Sequence, residues 1–224
     1  MQNLNFRIYG WISALISGLV VLAYVKGVGV SLADTKVVWG VVSTLATVNF
    51  FFFFVFSKWL WKWRFLQDWL VPFPNLNGVW EGELVSTWVN PATGNGIAPI
   101  PARLTIRQTF TSISCVIQTG EMKSHSFCAS FHLLPDSQIK RLVYTYASDP
   151  KPTVQDRSNR HYGTAMLDIL LDEKKKTLHG GYWSDRKTTG EMSLEWKAKV
   201  SAKSLGQILS SHPMTVVSDQ QNPA

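Results

Sequence analysis

Two long apolar runs without a charged residue occupy the front of the chain, at positions 8–25 between Arg7 and Lys26 and at 37–57 between Lys36 and Lys58. Each is long enough to cross the hydrocarbon core of a bilayer as a helix, which takes about 20 residues at a rise of about 1.5 Å each. The second run carries Phe50 to Phe54 in succession, followed by Val55 and Phe56, too apolar a stretch for a small soluble core. The first is diluted by Gly10, Ser13, Ser17 and Gly18. A secretory signal reading of that first run is disfavoured, because Arg7 is a thin basic flank and a second span follows at once. The link from Lys26 to Lys36 is short and holds Gly27 and Gly29, so the pattern predicts a transmembrane hairpin. Small residues at Gly10, Ala14 and Gly18, with Ser17 beside them, fit either close helix contact or simple tolerance of Gly and Ser in lipid.

The pattern changes after Pro72-Phe73-Pro74, where proline ends helical structure. From position 76 to about 199, short segments rich in Val, Ile, Thr, Tyr, Phe and Trp alternate with turn residues. This predicts eight strands at 79–88, 102–110, 112–119, 123–133, 140–147, 162–171, 177–183 and 189–198. About 120 residues in eight strands suit one small closed barrel. The expected fold is therefore a membrane protein: an N-terminal two-helix transmembrane hairpin, then an all-β, eight-stranded antiparallel barrel. The expected boundaries are 1–72 for the hairpin and its Trp-rich flank, 73–200 for the barrel and 201–224 for a polar, flexible tail with Pro213 and Pro223.

Charge sets the orientation. The net charge is +7, and residues 1–74 contribute +4, from six cations against Asp34 and Asp68. Arg7, Lys58, Lys62 and Arg64 lie on the side of the two ends of the hairpin, and the turn offers Lys26 and Lys36. The excess favours both termini and the barrel on the cytoplasmic face. The remaining +3 is too mild for a DNA or RNA polymer, which needs a dense basic stripe. Only Cys115 and Cys128 are present, so no disulfide framework is implied. Positions 58–70 hold four Trp among basic residues, which reads as a headgroup-level anchor or as the end of the second helix.

No nucleophile elbow, P-loop or dinucleotide fingerprint appears, and the five histidines have no metal-ligand spacing, so neither an enzyme nor a metal site is expected. Strand parity instead points to a binding cavity. Met192, Leu194 and Trp196 fix the interior of the last strand. Leu104, Ile106 and Phe110 carry Gln108 inward; Cys115 and Ile117 carry Thr119; Leu142 carries Tyr144 and Tyr146; Leu178 carries Tyr182; Trp80 and Leu84 carry Ser86 and Trp88. The fourth strand is ambiguous, with Ser124, Ser126, Cys128 and Ser130 on one face and Phe127, Ala129 and Phe131 on the other. Parity alone puts the Phe face inward, whereas a ligand-holding barrel favours the serine face inward and a wet hollow. Hydroxyls, an amide and aromatic faces are the parts that stack a base and bond its edge. Arg186, in the last turn, stands where the barrel mouth meets an anion, with His161 within reach of the same rim.

Two apolar helices running into an eight-stranded barrel, with Leu76-Asn77-Gly78-Val79-Trp80-Glu81-Gly82 opening it, resemble a known family. The further motifs are Leu104-Thr105-Ile106-Arg107-Gln108-Thr109, Tyr144-Thr145-Tyr146, His161-Tyr162-Gly163-Thr164-Ala165 and Gly181-Tyr182-Trp183-Ser184-Asp185-Arg186. Over about 8–198 the chain is similar to the SMODS-associated two-transmembrane β-barrel effectors of bacterial CBASS antiphage systems. The resemblance implies a multi-pass inner-membrane protein without cofactor, whose barrel binds a cyclic dinucleotide made by a cognate nucleotidyltransferase. It then implies homo-oligomerisation and disruption of the bilayer. By parity, the expected ligand contacts are Gln108, Thr119, Ser124, Ser126, Tyr144, Tyr146, Tyr182 and Arg186. The alternative is a membrane-tethered lipocalin-like carrier of a small apolar ligand, suggested by Gly78-Val79-Trp80.

Overall fold

The structure is a computed structural model that describes residues 6–28, 35–67, 69–91, 93–134, 139–155, 158–172 and 175–200. The expected tail at 201–224 and most of the hairpin turn lie outside the described residues. The chain divides into two compact units, residues 1–74 with 109–111, and residues 75–108 with 112–224.

In the first unit, α1 spans Phe6–Val28 and α2 spans Thr35–Lys58, each a few residues longer than the uncharged runs. Both are long and apolar enough to cross a membrane. The side-chain pairs fix an antiparallel hairpin. Tyr9 packs edge-on against Phe56, Ser13 Oγ donates to Asn49 Oδ1 at 2.7 Å, and Tyr24 bonds Thr44 through their hydroxyls at 3.1 Å. Asn49 Nδ2 also donates to Ser17 Oγ at 3.2 Å. These polar contacts join the two helices to each other. Phe110, expected inside the barrel, belongs to this unit instead. Its ring packs against Phe56 at 5.0 Å and against Tyr9 and Phe73. The ladder ends at Gln108, so parity no longer governs the residues after it.

The second unit is a closed antiparallel barrel in which every strand pairs with its sequence neighbours and β1 closes on β8. The strands are β1 Gly78–Ser86, β2 Ile100–Gln108, β3 Ile113–Thr119, β4 Met122–Leu134, β5 Ile139–Pro150, β6 His161–Leu171, β7 Lys176–Ser184 and β8 Thr189–Ala198. Inward positions fill the interior. Trp80, Leu104, Ile106, Leu142, Tyr144, Leu167, Leu178 and Leu194 are all buried in one continuous core. Trp80 Nε1 donates to the Leu76 carbonyl at 3.0 Å, which satisfies its one polar atom inside that core. The wet hollow expected from the sequence is therefore replaced through the middle of the barrel by close-packed apolar side chains.

The ambiguity of β4 has a physical answer. Ser126 pairs with Tyr146 and Cys128 with Thr145, so Phe127 is an extra residue opposite none. A bulge of this kind resets parity. Ser124 and Ser126 point inward before it, and Ala129, Phe131 and Leu133 point inward after it. Phe127, Cys128 and Ser130 are exposed. The ladder between β3 and β4 pairs only 116–118 with 123–125, and the Cys115 N–H is taken by Ser126 Oγ at 2.9 Å.

Candidate functional site

An up-and-down barrel has two ends, and here they differ in chemistry. One end is formed by the start of β1, the end of β2 and the end of β8. There Gln108 Oε1 accepts the Leu76 N–H at 2.8 Å. Asn77 clasps the Gln108 backbone, accepting its N–H at 2.7 Å and donating to its carbonyl at 2.9 Å. Gln108 is buried in this seam, where it holds the entry of β1 against β2, and it pairs with the first residue of β3 whereas Thr119 is that strand's last.

The opposite end gathers Thr119, Ser124, Tyr146, Tyr182 and Arg186, with Ser126 and Tyr144 deeper in the barrel. The β3–β4 and β7–β8 turns, the β5–β6 connection and the close of β1 converge there. Thr119 Oγ1 accepts the Met122 N–H at 3.2 Å and so clamps the β3–β4 turn. Ser124 Oγ donates to Ser148 Oγ at 2.9 Å, and Ser148 in turn lies 3.4 Å from Met122 Sδ. Tyr144 sits deeper and is fully buried; its hydroxyl meets Met192 Sδ at 3.8 Å. Its ring lies 6.0 Å from that of Tyr146, two residues closer to the end. Tyr144 is thus the floor beneath the end, and Tyr146 and Tyr182 lie above it.

Two glycines make that arrangement possible. Tyr146 pairs across the ladder with Gly163, and Tyr182 pairs with Gly190. A Cβ at Gly163 would overlap the Tyr146 ring and hydroxyl, and one at Gly190 would lie 2.6 Å from Tyr182 Cε1. Each ring therefore lies across the bare backbone of the next strand, a close approach that no side chain permits. Sequence parity chose the tyrosines and missed these glycines. The signal was present: both stand at inward positions two residues before a core side chain, Ala165 and Met192.

The last turn supplies charge. Asp185 Oδ2 accepts the Tyr162 N–H at 3.1 Å, and Arg186 Nη1 donates to Ser158 Oγ at 2.9 Å. Arg186 is exposed, whereas Ser158 is buried, so the guanidinium is anchored at one nitrogen and open to solvent elsewhere. Lys187 takes a left-handed φ of 59°, which completes the tight turn. Arg160, just before β6, is engaged with Asp149 at 3.0 Å. His161, also considered for the rim, has Nδ1 3.3 Å from the Asn159 carbonyl.

Burial pushes the Tyr146 phenol up to about 12, with the nearby Tyr182 and Asp185 adding to the effect. Burial likewise raises Tyr144 well above its ordinary value. Both phenols stay neutral hydrogen-bond donors at physiological pH. Stability follows from the shift: above pH 10 the unfolded chain loses the Tyr146 proton first, so folding weakens between pH 10 and 12. Tyr146→Phe is expected to flatten that decline, measured as denaturant midpoints at pH 9, 10 and 11.

A polar, aromatic end with one open guanidinium, set on an apolar plug, can stack flat rings and hold an anion while excluding water from below. No curated protein matches the chain by sequence. Residues 71–196, more than half of the chain and including every strand that builds this end, match the family model of the Cap15 cyclic dinucleotide receptor domain, and the chain belongs to that family.

Proposed function

We propose that this protein is a membrane-anchored antiphage effector whose barrel binds a cyclic dinucleotide at its tyrosine-lined end, and which then assembles and breaches the inner membrane. The observation that carries the reading is the pair of tyrosines laid over Gly163 and Gly190 at one end of a barrel of the cyclic dinucleotide receptor family. Nucleobases are flat, and the half-buried Tyr182 offers them a ring face, a contact of about 1–3 kcal/mol per base, while the buried Tyr146 supports the same end from within. The phosphodiesters are anionic and find Arg186. The hydroxyls of Thr119, Ser124 and Ser126 are engaged inside the protein and hold the walls in place. A core filled by Leu104, Leu142, Leu167, Leu178 and Leu194 supports a ligand seated at the end rather than in the middle, and leaves an apolar carrier little space.

Helices of the length of α1 and α2 support a multi-pass anchor, and Arg7, Lys58, Lys62 and Arg64 at the ends of the hairpin support cytoplasmic termini. Confinement to a membrane raises local concentration, so a ligand favouring the assembled state shifts the equilibrium by its differential affinity. The supply of ligand falls to a cognate nucleotidyltransferase. The test is dye release from liposomes holding the full-length protein. Cyclic dinucleotides are expected to trigger release at concentrations where linear dinucleotides and fatty acids do not. Binding of a cyclic dinucleotide without release would remove the membrane step and keep the receptor; release or binding by fatty acids alone would reverse the reading.

A further inference from the structure

The α-helix of the second span stops at Lys58, and the chain does not simply fray. It enters two successive 3-10 turns, Leu60–Lys62 and Arg64–Leu66, separated by Trp63 in an extended conformation at φ −71°, ψ 132°. The turns sort the side chains. Trp61, Leu66 and Leu70 are buried. Trp59, Trp63, Phe65 and Trp69 are left 50–69% exposed, four large aromatic rings within eleven residues. A segment that already buries Trp61, Leu66 and Leu70 gains nothing in water from displaying four more rings, and contiguous apolar patches on protein surfaces mark contact with something else.

The cations of the same segment point to what that is. Lys58, Lys62 and Arg64 are exposed. Lys58 Nζ lies 5.9 Å from the centre of the Phe54 ring and Lys62 Nζ 5.8 Å from that of Trp61. None of the three meets a carboxylate among the described residues. The first five residues of the segment are the last five of the candidate span, which runs from Thr35 to Lys62. Aromatic rings seated at the headgroup level, with ammonium and guanidinium groups beside them, are complementary to lipid phosphates.

We infer that residues 58–67 with Trp69 and Leu70 form a collar that binds the surface of an anionic bilayer, its exposed rings lying among the headgroups and Lys58, Lys62 and Arg64 contacting lipid phosphates. This rests on the reading of α1 and α2 as membrane spans. It adds a lipid preference that spanning alone does not require. Screening sets its range: contacts of this kind weaken as salt rises, because exposed charges are screened beyond about 8–10 Å at physiological ionic strength.

The test uses the full-length protein in liposomes of phosphatidylcholine, with or without phosphatidylglycerol at three parts in ten. A fluorescent label is placed on Phe65→Cys, or on Phe53→Cys within the span, each in a Cys128→Ser background. Cys115 is buried and escapes labelling, and native Cys128, which is exposed, serves as the aqueous reference. The label at position 65 is expected to be several-fold less accessible to an aqueous quencher than that on Cys128. Its shielding is expected to deepen with phosphatidylglycerol. Replacing Lys58, Lys62 and Arg64 together by Gln is expected to abolish that lipid-dependent increment and leave the label at position 53 shielded. A label at position 65 as accessible as Cys128, with position 53 still shielded, overturns the collar alone. Shielding that ignores phosphatidylglycerol and the triple substitution overturns the recognition of anionic headgroups. Free access at position 53 sinks the spanning reading and the collar with it.

Discussion

Arg186→Ala should weaken cyclic dinucleotide binding by about tenfold to a hundredfold while the barrel melts within a few degrees of wild type. The two halves of the expectation come from the same geometry. Arg186 is exposed, and the hydrogen bond from Nη1 to Ser158 Oγ is its one described tie to the barrel. Substitutions at exposed positions typically move stability by no more than about 0.5 kcal/mol. A guanidinium on a phosphate, however, contributes a charge-assisted bond of about 1.5–3 kcal/mol, which corresponds to that range of affinity. Lys does not substitute fully, because an ammonium lacks the planar fork that meets two phosphate oxygens at once. Calorimetric titration and thermal melts on the same preparations check both halves. Wild-type affinity in Arg186→Ala would place the phosphates elsewhere on the rim, and a collapsed melting point would make the Ser158 bond structural.

The hairpin of two long apolar helices and all eight strands were legible because both rest on strong periodic signals. An uncharged run of about 20 residues has few other uses, and alternation in half-buried strands is dictated by the pleat. Misreadings arose where one local feature broke the period. Phe110 looked like the next inward residue of β2, yet the ladder had already ended at Gln108 and the ring packs with Phe56 and Tyr9. Gln108 shares its face with Leu104 and Ile106, as expected. Parity cannot say which end of the barrel a residue occupies, and Gln108 stands at the end away from Tyr146. The amount of water inside was likewise out of reach of parity. A pattern of inward positions gives their direction, and only the summed volumes of Trp80, Leu104, Leu142, Leu167 and their neighbours decide whether the middle is full.

The bulge in β4 gives the sharpest test of how the barrel reads its own sequence. Deleting Phe127 should leave a folded barrel. Removing it places Cys128 directly after Ser126, and the pairs Ser126–Tyr146 and Cys128–Thr145 become consecutive rungs of a regular ladder. Ser124 and Ser126 stay inward, and so do Ala129, Phe131 and Leu133. The lost side chain is 65% exposed, so little burial goes with it. The change in stability is expected to stay near the small end for single changes, within about 1 kcal/mol. Deleting Val143 from β5 should behave in the opposite way. That strand has no extra residue to absorb the loss, so a shift of one moves either Leu142 or the pair Tyr144 and Tyr146 from the core to the solvent face. Each large side chain exposed costs about 1.5–3 kcal/mol, and the ladders to β4 and β6 must break as well. That loss approaches or exceeds the whole of a typical domain's stability, about 5–15 kcal/mol. Near-UV circular dichroism and denaturant midpoints of the full-length variants separate the cases: native aromatic signal and a near-normal midpoint for the Phe127 deletion, and neither for the Val143 deletion. If the two deletions prove equally damaging, Phe127 is an integral rung of β4, and the inward face of that strand must be assigned again from its first residue.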